Sequence, residues 1–135
     1  MPPSPSRPTS RRPAPFRRFA ENAGRRGEAF AALLLQLKGY RILARRLKTP
    51  VGELDLIVRR GRVTVFVEVK QRSFSHQEGE ALAAVNRRRM LRAAQYWLIR
   101  HPDLAQQDLR FDVIFLAPFA LPRHIVNAFD ATGFA

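Results

Sequence analysis

The sequence lacks cysteine and is poor in acidic residues. Without Cys it forms no disulfide, no thiol nucleophile and no cysteine-ligated zinc site. Its 11 Asp and Glu residues face 24 Lys and Arg residues, so the net charge is +13. No apolar run approaches the length of a transmembrane span, and no glycine-rich phosphate loop, zinc-ligand spacing or nucleophile elbow is present. The positive charge therefore points to a polyanionic partner, most simply nucleic acid.

The length of the chain, 135 residues, suits a single domain. Six of the ten prolines lie within the first fifteen residues, interspersed with arginine, serine and threonine. Such a segment cannot bury a core, so we predict a disordered basic tail over residues 1–18 and one domain over residues 19–135. The tail shares its Arg and Ser content with mitochondrial transit peptides, but its prolines oppose the amphipathic helix that those peptides form. We expect a cytoplasmic protein.

Residues 52–72 predict a β-hairpin, because two β-rich runs flank an Arg-Gly turn. If residues 59–62 form a four-residue turn, Val58 lies opposite Val63 and Asp55 lies opposite Phe66. Side chains alternate between the two faces of a strand. One face then carries only aliphatic side chains: Leu54, Leu56, Val58, Val63, Val65, Val67 and Val69. The other face carries Glu53, Asp55, Ile57, Thr64, Phe66, Glu68 and Lys70.

Three side chains on the second face suggest a chemical function. In this register Glu68 is the diagonal neighbour of Asp55, a pair that lies about 7–8 Å apart or less. Two such carboxylates suit Mg²⁺ or Mn²⁺, which can polarise a phosphoryl oxygen and acidify a bound water. Lys70, two residues beyond Glu68, can stabilise charge on phosphate. We therefore predict phosphodiester hydrolysis; the alternative is that Glu-x-Lys marks the solvated face of an edge strand, against which Ile57 and Phe66 argue.

The remaining pattern places helices and strands around the hairpin. The spacing of Phe30, Leu33, Leu34 and Leu37 predicts a helix over residues 19–38, ended by Gly39. A second helix is predicted over residues 80–100, with a core stripe at Met90, Ala93, Ala94, Trp97 and Leu98. Further strands are predicted over residues 40–47, 109–116 and 124–128. This order indicates an α/β domain with a mixed sheet in two or three layers, its aliphatic hairpin face packed on the two helices.

Arginine clusters are candidate nucleic-acid contacts. The long helix carries four of them, and no acidic residue lies between Glu80 and Asp103, which favours contact with a phosphate backbone. Three more crowd the hairpin tip, where the alternative is a solvated turn. The candidates are Arg59, Arg60, Arg62, Arg72, Arg87, Arg88, Arg89 and Arg92. Asp112 is expected to pair with Arg110 or another basic residue, outside the site.

The hairpin resembles the YraN family of small bacterial proteins. Residues 52–57 (GELDLI) and 66–72 (FVEVKQR) match that family's Gly-Glu-Ile-Asp-Leu-Ile and Phe-Val-Glu-Val-Lys-x-Arg strands. The segments 27–29, 39–43, 110–113 and 127–129 match in the same order, so the resemblance covers about residues 27–130.

The resemblance implies a restriction-endonuclease-like fold, with a helix–three strands–helix–strand core similar to that of archaeal Holliday junction resolvases. It also implies that Asp55 and Glu68 are metal ligands, with the carbonyl of Val69, and that Lys70 is the catalytic lysine. Glu28 would be a further acidic residue of the site. Read from the sequence alone, Glu28 is a helix-terminus acid that favours the macrodipole.

We therefore predict a divalent-metal-dependent nuclease, using Mg²⁺ or Mn²⁺, that cleaves DNA rather than RNA, with branched or single-stranded DNA considered first. Cleavage of a four-way junction would favour a symmetric homodimer. The alternative is a basic nucleic-acid-binding module without turnover, acting in DNA repair, recombination or uptake. A membrane-surface or ribosome-associated protein is a third reading; it leaves the Asp55–Glu68–Lys70 face without a role, and we expect no membrane partner.

Overall fold

The computed structural model describes residues 27–71, 76–117 and 119–129, and for residues 76–86 it describes the backbone alone. Helix α1 is seen over residues 27–37. The other elements are β1 (Arg41–Thr49), β2 (Gly52–Arg60), β3 (Val63–Lys70), α2 (His76–Ile99), α3 (Pro102–Ala105), β4 (Asp108–Phe115) and β5 (Arg123–Ile125). The predicted tail, and residues 19–26 of the predicted first helix, lie outside the described residues.

The five strands form one mixed sheet in the order β1-β2-β3-β4-β5. β3 and β4 are parallel, and every other neighbouring pair is antiparallel. A parallel pair needs a long crossover connection, which α2 supplies between β3 and β4. The result is a mixed α/β fold whose sheet is flanked by helices, consistent with a restriction-endonuclease-like core, as the sequence predicts. No helix in the described ranges combines the length and the apolar character that crossing a membrane requires.

Each face of the sheet is covered by a different helix. The aliphatic face packs on α1, in a cluster that includes Ala31, Ala32, Leu35, Leu56, Val58, Val65 and Val67. The opposite face packs on α2, in a cluster that includes Ile57, Phe66, Met90, Ala93, Ala94, Trp97 and Leu98. The predicted core stripe of α2 is thus confirmed. The prediction that both helices pack on the aliphatic face is wrong, because the apolar side chains of the second face also need a covering layer.

Leu54 also departs from the predicted face, since it packs with the α2 cluster rather than with Leu56. The pairing of β1 with β2 passes from Arg45–Leu56 to Leu47–Leu54 without pairing Arg46 with Asp55. Arg46 has a φ of 51°, in the left-handed region that non-glycine residues rarely occupy. The backbone of β1 is therefore irregular at Arg46, and the alternation of side chains along β2 is broken between Leu54 and Leu56.

Helix α1 buries small side chains and exposes large ones. Ala31, Ala32 and Leu35 are buried, whereas Phe30, Leu33 and Leu37 are each about half exposed or more. The apolar spacing therefore predicts the helix but does not mark its buried face. Gly39, with a φ of 94°, follows the helix in the conformation of a glycine C-cap.

The hairpin turn is shorter than predicted. Arg60 pairs with Val63, so Gly61 and Arg62 form a two-residue loop, and Gly61 has the positive φ of 63° that such loops require at this position. The predicted four-residue turn is wrong and the register differs by two residues: Ile57, not Asp55, lies opposite Phe66. A shift of two residues keeps each side chain on its face.

Gly52, at the start of β2, allows α2 to approach the sheet closely. A Cβ atom at this position would lie 2.1 Å from the carbonyl oxygen of Arg89 in α2. The contact is with backbone, which cannot rotate away. The glycine of the hairpin motif therefore sets the distance between β2 and the basic part of α2.

Candidate active site

Asp55, Glu68 and Lys70 converge where β2 begins and β3 ends. The N–H of Val69 donates a hydrogen bond of 2.7 Å to Asp55 Oδ2. Lys70 Nζ lies 3.5 Å from Glu68 Oε2. In the observed register, Asp55 and Glu68 lie one step beyond the last hairpin pair, Leu56–Val67, so they are closer neighbours than the predicted diagonal. The structure thus places the three predicted side chains, and Val69, together.

Burial disfavours the charged form of both carboxylates in this site. Burial, together with repulsion from Asp55, raises the pKa of Glu68 from its ordinary 4.5 to about 7, although Lys70 opposes this rise. Burial also raises the pKa of Asp55, against the opposing effect of the Val69 N–H. Each carboxylate is therefore held where its charged form is disfavoured, and a bound cation would relieve this.

The donor set fits a small hard cation. Mg²⁺ is usually bound through one or two carboxylates and keeps several of its waters, which two neighbouring carboxylates at a partly open strand end can satisfy. Among the residues that the structure describes, no three His, Asp or Glu side chains are close enough together to hold an ion by themselves. The candidate side-chain ligands are therefore two, Asp55 and Glu68, and Val69 follows Glu68 in the chain at the same strand end.

Glu28 lies near Asp55, Glu68 and Lys70, which we call the trio, but has its own partners. Its Oε2 is 3.4 Å from Arg45 Nε and its Oε1 is 3.4 Å from Arg46 Nε. Burial raises the pKa of Glu28, Arg45 and Arg46 lower it, and repulsion from Asp55 adds to the rise. Glu28, Arg45 and Arg46, together with Lys48, line an open cavity of about 580 Å³. Glu28 is therefore an acidic group within electrostatic reach of Asp55, with its charge compensated by two arginines.

The four candidate arginines of α2 have different surroundings. Arg87 lines a pocket together with Glu68 and Lys70. Arg89 donates to Glu53 Oε2 at 3.2 Å, an exposed ion pair between α2 and β2. Arg88 and Arg92 are exposed. Arg87 is thus the member of this patch that the structure brings to the trio. Arg72 lies outside the described residues.

The three arginines of the hairpin tip lie away from the trio. β3 runs from Val63 at the tip to Lys70 at the site, seven steps of about 3.3 Å, or roughly 23 Å. Arg59 donates to Gln107 Oε1 at 2.7 Å, and Arg60 donates to the Lys38 carbonyl at 3.0 Å. The guanidinium of Arg60 also lies 4.4 Å from the centroid of the Tyr40 ring. Arg59 and Arg60 therefore tie the tip to neighbouring segments, while Arg62 is exposed.

Comparison with known proteins places this geometry in a family. Residues 27–116, from α1 through β4, match the model described as "Uncharacterised protein family UPF0102". The chain belongs to the UPF0102 family. This is the YraN family that the hairpin motifs indicated, and the matched segment includes all three residues of the trio.

Individual UPF0102 proteins are similar over most of their length. The chain is 52% identical over 109 residues to one from Parvibaculum lavamentivorans, covering 81% of this chain and 82% of the relative. It is 47% identical over 128 residues to one from Bradyrhizobium sp. strain BTAi1, covering 95% and 91%. It is 49% identical over 121 residues to one from Methylorubrum extorquens, covering 90% and 94%.

In this UPF0102 chain a buried polar network lies on the α1 side of the sheet, centred on the fully buried Asp112. Arg110 donates to both of its carboxylate oxygens, at 2.9 and 2.8 Å, which confirms the predicted pair. Asn127 N–H donates to Oδ1 at 2.9 Å, and His124 Nε2 lies 2.7 Å from Oδ2. Because the Lys38 ammonium, 2.8 Å from His124 Nδ1, can only donate, His124 donates through Nε2.

The network fastens β5 and the following residues to β4. Burial would raise the pKa of Asp112, but the hydrogen bonds from Arg110, Asn127 and His124 outweigh this and lower it. The Arg110–Asp112 part could be predicted, because residues two apart on a strand share a face. The part played by His124 depends on the β4–β5 pairing and has no local signal in the sequence.

Proposed function

We propose that this chain is a divalent-metal-dependent nuclease that hydrolyses phosphodiester bonds in DNA, with branched and single-stranded DNA as the first forms to test. The proposal is carried by the convergence of Asp55, Glu68 and Lys70. Two neighbouring, partly buried carboxylates with raised pKa values are unfavourable for the fold unless a cation accompanies them. Such an arrangement is more readily explained by chemistry than by stability.

Each residue has a role that follows from its position. Asp55 and Glu68, with the Val69 carbonyl, would hold Mg²⁺ or Mn²⁺, which when bound supplies a polarised phosphoryl oxygen and a more acidic water. Lys70, whose amino group lies beside Glu68, orients the attacking water or stabilises charge on the phosphate. Glu28 contributes through water or a second ion, since two arginines already compensate its charge.

The basic residues bind the rest of the substrate. We assign the phosphate nearest the trio to Arg87, which lines the same pocket. Neighbouring phosphates are assigned to the other candidate arginines, Arg72, Arg88, Arg89 and Arg92. Contacts with Arg59, Arg60 and Arg62 require a longer substrate, because the roughly 23 Å to the hairpin tip spans about seven base pairs of duplex. Cleavage of a four-way junction would in addition need a symmetric dimer.

The test is a cleavage assay on end-labelled single-stranded DNA, duplex, flap, four-way junction and RNA, each with Mg²⁺, Mn²⁺ or chelator. Wild type is compared with Asp55→Ala and Lys70→Ala. We expect metal-dependent cleavage that both variants lose, with DNA binding retained in chelator. Cleavage by Asp55→Ala at the wild-type rate would refute the assignment.

A second candidate function is a basic DNA-binding module without turnover, acting as a partner in repair, recombination or uptake. It is favoured by the 3.5 Å contact between Lys70 and Glu68, which compensates one carboxylate without any metal. The same assay separates the two functions. Tight binding with no cleavage under any metal, by protein whose fold is verified, would favour the binding module.

A further inference from the structure

A pocket of about 240 Å³ opens beside the trio, between α2 and the ends of β3, β4 and β5. Its polar end is formed by Glu68, Lys70 and Arg87. Its walls are apolar and comprise Met90, Val113, Phe115, Ile125, Ala128 and Phe129. Phe115 is the direct neighbour of Lys70 in the parallel pairing of β3 with β4, so the apolar wall begins next to the candidate catalytic lysine.

The arrangement selects among occupants by charge. An apolar peptide or acyl chain that filled the pocket would desolvate the three charged side chains without pairing them, which is unfavourable. A nucleotide instead places a phosphate at the polar end, beside Lys70 and Arg87, and a flat apolar ring against the walls. Aromatic side chains next to a positively charged groove are the usual means of holding an unpaired base.

The aromatic wall is suited to a flat ring. The rings of Phe129 and Phe111 are stacked at 5.0 Å, and Phe111 is stacked in turn on Phe66 at 5.1 Å. Arg87 Cζ lies 5.8 Å from the centroid of the Phe129 ring. Phe129 is therefore braced from the core, and a guanidinium lies near the same ring to attract the electron-rich face of a base.

We propose that this pocket holds an unpaired nucleobase next to the phosphate at the trio, so that the chain acts on single-stranded or unpaired nucleic acid rather than on intact duplex. A base within a duplex is stacked and paired, and could enter the pocket only if it were flipped out. The inference rests on the proposed function for the position of the phosphate. Beyond that function, it assigns a binding site to the base, the part of the substrate that the trio does not contact.

The test compares two polymers with the same phosphates: a fluorescent oligothymidylate and an abasic oligomer of equal length. Affinities are measured by anisotropy in chelator, where no cleavage occurs. We expect wild type to prefer the thymidylate by about fivefold or more, since stacking of one base on an aromatic side chain contributes at least about this factor. Phe115→Ala, which removes the aromatic ring of the wall next to Lys70, should lower the ratio of the two affinities towards one.

The control is Phe30→Ala, which removes the same atoms from a half-exposed Phe on α1, on the other side of the sheet. It should keep the wild-type ratio. Ala128→Leu, which fills the pocket instead of opening it, should lower the ratio as Phe115→Ala does and serves if that variant fails to fold. Equal wild-type affinities for the two polymers, or an unchanged ratio in both pocket variants, would overturn the proposal.

The assay separates failure of the pocket from failure of the nuclease. A base preference that depends on Phe115, in protein that cleaves nothing under any metal, would support the pocket and refute the nuclease. Metal-dependent cleavage by protein that binds both polymers equally would do the reverse.

Discussion

Replacing Glu68 with glutamine should make the protein more stable at alkaline pH while removing its proposed activity. The side chain is only 19% exposed, and its pKa is raised from 4.5 to about 7, chiefly by burial and by Asp55. Glutamine keeps the shape and removes the charge. If the site is built for a cation, the ion-free protein carries an electrostatic penalty that this variant lacks.

The penalty depends on pH in a defined direction. A carboxyl group whose pKa is higher in the folded state favours folding at low pH, and this advantage is lost as the pH rises from the unfolded value, 4.5, through the folded value, about 7. Since one pKa unit corresponds to about 1.4 kcal/mol, the loss at pH 8 reaches about 3 kcal/mol and at pH 5 less than about 1 kcal/mol. These are upper bounds, because Asp55 shares the same repulsion.

The assay is urea unfolding of wild type and Glu68→Gln at pH 8 and pH 5, in chelator. With a urea m-value of about 1.5 kcal/mol/M, the midpoint of the variant should exceed that of wild type by up to about 2 M at pH 8 and by much less at pH 5. Added Mg²⁺ should stabilise wild type but not the variant, since a ligand stabilises the state that binds it.

Glu53→Gln is the matched control, because this β2 carboxylate is 57% exposed, pairs at the surface with Arg89 and adds less to the raised pKa of Asp55 than burial does. It should change stability by less than about 1 kcal/mol, without a gain at pH 8. A Glu68→Gln variant no more stable than wild type at pH 8, or equally stabilised at both pH values, would refute the electrostatic reasoning.

Three other predictions concern the frame of the site and its basic surroundings. Gly52→Ala places a Cβ atom 2.1 Å from a carbonyl oxygen of α2 and should lower the free energy of unfolding by about 1–3 kcal/mol in the same urea titration. Its control, Gly61→Asn, lies in open space at a φ of 63° that Asn tolerates, and should change the free energy of unfolding by less than about 0.5 kcal/mol. Asp112→Asn should be less stable than wild type at pH 7 and should lose less stability on acidification below about pH 4, as measured by thermal unfolding. The lowered pKa of Asp112 stabilises the wild-type fold fully above the ordinary pKa, and this stabilisation is lost as the pH falls through the folded-state pKa. Arg87→Ala should weaken binding of a short single-stranded oligonucleotide in chelator more than Arg62→Ala does, and equal losses would contradict the placement of the substrate.

The sequence predicts the candidate site because its signal is local. Alternation along β3 puts Glu68 and Lys70 on one face, and the hairpin brings Asp55 to the same strand end in either register that keeps the faces. The turn was predicted two residues too long, because four-residue and two-residue loops both suit an Arg-Gly tip. The pairing of Arg60 with Val63 in the structure distinguishes them.

What the sequence misses depends on contacts between distant segments. Glu28 pairs with Arg45 and Arg46, and His124 hydrogen-bonds to Asp112 and Lys38. These partners are 12 or more residues apart in the sequence, and no periodicity indicates such contacts. The sequence pattern places both helices on the aliphatic face of the hairpin, which is apolar throughout, and leaves the second face uncovered. The aromatic and aliphatic side chains of the second face, packed against α2, show why a second layer is needed.

Single-turnover cleavage tests the central claim most directly. Protein in excess over a labelled single-stranded oligonucleotide is started with Mn²⁺, using wild type, Asp55→Asn and Glu53→Gln purified in parallel. We predict cleavage by wild type and by Glu53→Gln, abolished by chelator and lost in Asp55→Asn with binding intact. Equal cleavage by all three proteins, or none by any of them on any labelled substrate with either metal, would contradict a nuclease centred on Asp55, Glu68 and Lys70.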